Sequence, residues 1–246
     1  MYPDRDYTPR AATRQQAASF EQSIGMEHAV VTLPSVYGTN NSILLDALRP
    51  FNGMYLGVCV LDLESEVDIS TLRTFHNAGI RGIRVNYGSS GTDEEIISDV
   101  WIPISAFKAL HPIIPTLGVR VVADNYAHAT AGSRTNDTRN TIGPFTITRF
   151  REVIDLVQNH HFDMRVVAET LMINGPDMVI FGSDWPHTAS KEGNGPGGPL
   201  VPQDFRDIDD EAILEQTLEW AGTQAQVQRL FVDNPRRLWG WKDPGS

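Results

Sequence analysis

Residues 178–188 read Met-Val-Ile-Phe-Gly-Ser-Asp-Trp-Pro-His-Thr. An apolar run with β-branched and aromatic residues, stopped by Gly-Ser, is the pattern of a buried strand that delivers Asp184 at its C-terminal end. Alternation puts Ile180, Gly182 and Asp184 on one face. In a parallel α/β barrel that face looks inward, and the carboxyl ends of the strands are where chemistry is done. Pro186 ends strand pairing, so Trp185 and His187 begin a loop over the mouth. The competing reading is a buried Asp that caps the next turn. A working carboxylate is favoured, because charged residues seldom end an apolar strand unless they are paired or functional.

Outward from this stretch, the pattern alternates strands and helices over much of the chain. Strands are predicted at His28–Leu33, Met54–Leu61, Ile80–Tyr87 and Gly118–Asn125. Helices are predicted at Thr13–Ile24, closed by Gly25; from the cap residues Asn40, Asn41 and Ser42 to Leu48; and at Ser70–Asn77, with Asp68 or Ser70 as cap and Gly79 as stop. Thr146–His161 and Met164–Ile173 are helical by spacing, Asp209 caps a helix to Ala221, and Thr223 with Gln226 makes a capping box. Asn234-Pro235 starts a last short helix with Pro at its first position. Residues 130–143 are polar and turn-rich, the composition of a loop or lid.

Gly-Ser-Asp-Trp-Pro-His at 182–187 resembles the last-strand motif of the amidohydrolase-related hydrolases, in the branch similar to 2-pyrone-4,6-dicarboxylate lactonase. Tyr37-Gly-Thr-Asn-Asn41, Gly79-Ile-Arg-Gly-Ile-Arg-Val-Asn86 and Asn234-Pro-Arg-Arg-Leu-Trp-Gly240 carry the resemblance over most of the chain. It implies an α/β fold of the TIM-barrel, (β/α)8-like metal-dependent-hydrolase type, here as one domain over residues 1–246. Against that pattern the chain lacks the first strand with its Asp-x-His-x-His pair, the fifth strand near Trp101 and the seventh between Phe162 and Met164. The expectation is therefore an incomplete barrel, inactive or barely active alone, with unpaired strand edges.

At 246 residues, with 41% hydrophobic and 21% charged residues, the chain has the makeup of a folded globular protein. A net charge of -11 argues against nucleic acid, which needs clustered Lys and Arg. No window approaches a membrane span or a signal peptide, and the single Cys59 excludes an internal disulfide and a Cys-based zinc site. The cytosol is the expected compartment, a small molecule the expected partner, and Cys59 a small core residue.

The resemblance implies that Asp184 acts either as general base on water or as a metal ligand. It implies that Arg84, predicted to face inward with Gly82 and Asn86, binds a substrate carboxylate; the alternative is an Arg that neutralises Asp184. His187 either orients Asp184 or substrate, or is a solvent-exposed loop imidazole. Tyr37 and Asn41 match the loop after the second strand and line the pocket by resemblance. Asn125 stands where the family usually has His and is a poor metal ligand, leaving His128 as its substitute. No cofactor is expected, because the Asp-x-His-x-His ligands are missing, although a divalent metal at Asp184 stays possible. The implied reaction is hydrolysis of a lactone, ester or amide of a small carboxylated, ring-derived metabolite. The alternatives are a metal-dependent decarboxylase of the same superfamily and an inactive truncated homologue.

Overall fold

A computed structural model of the chain describes residues 1–62, 67–84, 164–189 and 193–241. The chain divides into two compact units, Met1–Val100 with Gly182–Glu215 and Trp101–Phe181 with Gln216–Ser246.

The first unit holds a parallel sheet in the order β2 (Ala29–Thr32), β3 (Tyr55–Val60), β4 (Ile80–Arg84). Parallel neighbours require a crossover, and α2 (Ser42–Leu48) and α3 (Ile69–Asn77) supply it. Ala29 pairs with Tyr55 and Thr32 with Val58, while a bulge at Gly57/Val58 shifts the register to Val60 opposite Arg84. β3 is buried at five of its six residues, as expected of a parallel strand covered on both faces. Leu33, Leu44, Leu48, Tyr55, Cys59, Val60 and Ile80 close the core around it. Cys59 is the expected core residue, and burial pushes its thiol up.

Gly57 leaves room for its neighbours: a Cβ there would lie 2.6 Å from Ile80 Cδ1 and 2.8 Å from Leu48 Cδ1, and both methyl groups would have to shift. On β4, Ile80, Gly82 and Arg84 share the less exposed face, which is the alternation read from the sequence.

A helix, α1 (Arg14–Ser23), precedes this sheet in the same unit. Thr13 Oγ1 accepts from Gln16 N and Gln16 Oε1 accepts from Thr13 N, a complete capping box. Gly25, at φ 76°, follows in the left-handed region that ends such helices. Glu21 on α1 accepts a hydrogen bond from the Tyr55 hydroxyl at the start of β3. α3 begins on Asp68, as predicted. Of the three residues offered as caps for α2, Asn40 supplies the side-chain bond, its Oδ1 accepting from Ser42 N at 3.1 Å. Two short strands, β1 (Thr8–Pro9) and β5 (Pro202–Gln203), pair in parallel.

The second unit is helical where described. α4 (Met164–Asn174), the later part of α5 (Asp210–Ala221), α6 (Gln224–Gln228) and α7 (Asn234–Trp239) pack through Ala168, Met172, Ala221 and Leu230. A π-helical turn, Arg229–Asp233, joins α6 to α7. Thr223 caps α6 by accepting from Gln226 N, but Thr223 N donates to Ala221 O at 2.8 Å and not to the Gln226 side chain, so only half of the expected capping box forms.

The strand predicted over Met178–Gly182 is not a strand. Its apolar residues still anchor it: Val179 and Phe181 pack on the helical core, and Phe181 meets Phe231 at 5.0 Å between ring centres. Side chains of α7, however, take backbone carbonyls in it and just before it. Asn234 Nδ2 donates to Pro176 O at 2.8 Å and to Val179 O at 2.7 Å, and Arg237 Nη2 donates to Asp177 O. Apolar content alone does not distinguish a segment paired in a sheet from one strapped by a helix terminus.

Candidate active site

Asp184 to His187 forms a tight turn in the first unit. His187 N donates to Asp184 O at 2.9 Å across the Trp185–Pro186 cis bond, with Pro186 at the third turn position. Asp184 and His187 both take positive φ, 59° and 57°. Trp185 stacks on Phe20 of α1 at 5.6 Å and 17° between ring planes, and Trp185 N donates to Ser183 Oγ at 3.2 Å.

The two candidate catalytic side chains go to opposite environments. The Asp184 carboxylate is 75% exposed and lies 3.3 Å from Arg206 Nη2. His187 is buried, and its Nε2 sits 2.8 Å from Asp210 Oδ1 in the first turn of α5. Thus His187 is not the solvent-exposed loop imidazole of the alternative reading. Arg206 reinforces the turn from outside: its backbone N–H donates to His187 O at 2.8 Å and its Nε to Thr188 O at 3.3 Å. Tyr7 OH and Thr188 Oγ1 share a hydrogen bond at 3.2 Å.

Arg206 and Asp210 escaped the sequence reading. Their signal is faint: Arg206 is the lone base in Asp204-Phe-Arg-Asp-Ile-Asp-Asp-Glu211, a run that reads as the acidic start of a helix.

Three of the remaining candidates, Arg84, Tyr37 and Asn41, are spread along the first unit. Arg84 ends the described part of β4 on its less exposed face. Tyr37, in a 3-10 turn after β2, lines a cavity of about 200 Å3 together with Met1, Tyr2, Pro3, Thr39 and Asn40, and burial raises its phenol. Asn41 is buried and turned toward β3. Its Nδ2 donates to Val60 O at 2.8 Å, and its Oδ1 accepts from Val60 N at 3.1 Å. The amide therefore acts as a short strand partner for the C-terminal end of β3. Asn86, Asn125 and His128 lie outside the described residues.

A divalent metal is what the family resemblance raises at Asp184. Among the described residues no three His, Cys, Asp or Glu side chains converge, so these donors do not make a metal site and no step is assigned to one. Nor is any helix among them long and apolar enough to cross a membrane.

Comparison with known proteins places the chain. The family model described as Amidohydrolase matches residues 157–241. A 4-sulfomuconolactone hydrolase of Hydrogenophaga intermedia is 24% identical over 98% of this chain and 84% of its own length. A 2-pyrone-4,6-dicarboxylate hydrolase of Comamonas testosteroni is 24% identical over 96% and 84%. Among solved structures, a probable 2-pyrone-4,6-dicarboxylic acid hydrolase of Acinetobacter baumannii, with citric acid bound, superposes at a TM-score of 0.62 with 18% identity, over 98% of this chain and 94% of that one. A putative hydrolase of the same name from Pseudomonas putida gives 0.59 with 20% identity, over 96% of both. The shared fold is the TIM-barrel-like α/β type. With relatives matched along nearly its whole length and a family model matched over residues 157–241, the chain is similar to the amidohydrolase-related, lactonase-like hydrolases.

Proposed function

We propose that the chain is a hydrolase that opens the ring ester of a small anionic lactone by attack of water, with Asp184 as general base. The observation that carries this reading is the Asp184 carboxylate, 75% exposed at the tip of a turn whose other side chain, His187, is locked inside. A general base must reach its water, and this carboxylate does. Asp184 takes one water proton while the hydroxide adds to the lactone carbonyl carbon. The ring C–O bond then breaks, and the proton on Asp184 passes to the leaving oxygen. His187 has a positioning role: its imidazole, held by Asp210, fixes the turn that presents Asp184.

Support for the substrate class comes from the relatives. One acts on a sulfonated lactone and one on a pyrone dicarboxylate, and a structural neighbour holds citric acid. Arg84, on the less exposed face of β4, is suited to hold a substrate carboxylate in a fork. We further read residues 1–246 as one catalytic domain whose barrel has fewer strands than eight.

The test is Asp184→Asn, an isosteric change that removes the basicity. Hydrolysis of 2-pyrone-4,6-dicarboxylate should fall by roughly a hundredfold or more, within the range general base catalysis supplies, with the thermal melt unchanged. A variant that keeps the wild-type kcat/KM rules out Asp184 as the base.

A further inference from the structure

Arg206 is tethered at its root and unsaturated at its tip. Its backbone N–H and its Nε are committed to His187 O and Thr188 O, so the guanidinium is held in place. Beyond these, its one contact among the described residues is Nη2 to Asp184 at 3.3 Å, a single long bond between side chains 51% and 75% exposed. A pair of this kind is weak and easily exchanged, since water competes for both ions.

Three of the nearby carboxylates are engaged elsewhere. Asp204 pairs with Arg10 at 2.7 Å, Asp209 accepts from Ala212 N at 2.9 Å, and Asp210 holds His187. The Arg206 fork thus stands beside the candidate base with donors to spare, in an orientation that costs little further side-chain entropy to use.

We infer that Arg206 is the receptor for an anionic group of the substrate, a carboxylate or sulfonate carried on the lactone, and that this group displaces Asp184 from the guanidinium. This rests on the hydrolase reading. A planar guanidinium binds such a group through two parallel N–H donors, more than it now makes to Asp184. The exchange has a consequence for the reaction: substrate arrival frees the Asp184 oxygens to accept from water. It also makes Arg206 a specificity residue, because a neutral lactone has nothing to offer the guanidinium.

Isothermal titration with citrate, a tricarboxylate that the enzyme has no ester to cleave in, separates the two residues by sign. Arg206→Gln should weaken citrate binding by on the order of tenfold to a hundredfold, the worth of hydrogen bonds to a charged group. Asp184→Asn should tighten it, because the competing and repelling carboxylate is gone. Arg206→Lys, which keeps the charge without the fork, should fall between wild type and Arg206→Gln. Arg49→Gln, at an exposed pair with Asp46, should match wild type. Wild-type protein that does not bind citrate, an Arg206→Gln variant that binds it as well as wild type, or an Asp184→Asn variant weakened like Arg206→Gln would each overturn the inference. Citrate binding through Arg206 in a protein that hydrolyses no lactone would sink the hydrolase reading and, with it, the assignment of that anionic group to a lactone substrate.

Discussion

His187 Nε2 lies 2.8 Å from Asp210 Oδ1, with 8% of the imidazole and 21% of the carboxylate side chain exposed. The contact ties the turn after Asp184 to the first residue of α5, 23 residues later in the chain. Removing one partner leaves the other buried without it, at a cost of about 1–3 kcal/mol. Asp210→Ala should therefore lower the urea midpoint with an unchanged slope, while Asp210→Asn, which still offers an acceptor oxygen and donors, should keep most of the stability. An Asp210→Ala midpoint equal to wild type would mean that the pair does not hold the turn.

Glu21 carries a pH dependence of definite sign. Burial raises its carboxyl from 4.5 to about 7. The Tyr55 hydroxyl can donate to the carboxylate or accept from the acid, so this contact does not cancel the effect of burial. Between those two values the folded chain binds more protons at this site than the unfolded chain. The contribution of Glu21 to stability therefore falls as pH rises from 4.5 toward 7, and the loss is complete above the folded value. Glu21→Gln should raise the melting temperature at pH 8 and leave it nearly unchanged at pH 5. The gain should be a few degrees, since 1 kcal/mol is worth about 2–4 °C in a chain of this size. Equal shifts at both pH values would show that Glu21 does not titrate in this window.

Asn41 offers a test that separates lining a pocket from building one. Its amide serves both the N–H and the C=O of Val60, so Asn41→Ala leaves two buried backbone groups unpaired, each at about 1–3 kcal/mol. The variant should melt earlier, and the Val60 amide should exchange its hydrogen faster. If stability and exchange hold while KM for the pyrone dicarboxylate rises, the side chain touches substrate instead.

Gly57 should not tolerate a methyl group. Ala at this position would press on Ile80 Cδ1 and Leu48 Cδ1, and overpacking of this kind costs about 1–3 kcal/mol. Because the nearest atom belongs to Ile80, adding Ile80→Val should recover part of the loss. A double-mutant cycle by chemical denaturation measures the recovery, and strict additivity would show that the clash is relieved elsewhere.

Local rules in the sequence determined the helix starts at Thr13, Asp68, Asp209 and Thr223, the apolar run of β3, and the alternation that places Gly82 and Arg84 on one face of β4. Each depends on neighbours within about four residues, and spacing records those. Tertiary structure decided the rest, because partners distant in the chain leave no local trace. Met178–Gly182 has the composition of a strand, yet Asn234 takes its Val179 carbonyl and Arg237 the Asp177 carbonyl just before it. Asn41 has the form of a helix cap and instead closes on Val60, while Asn40 does the capping. The sequence marked Asp184 and His187 as one motif; only the fold sends one side chain to solvent with Arg206 and the other inside with Asp210. A carboxylate or an imidazole is set to its task by its burial and its partner, and both come from chain more than 20 residues away.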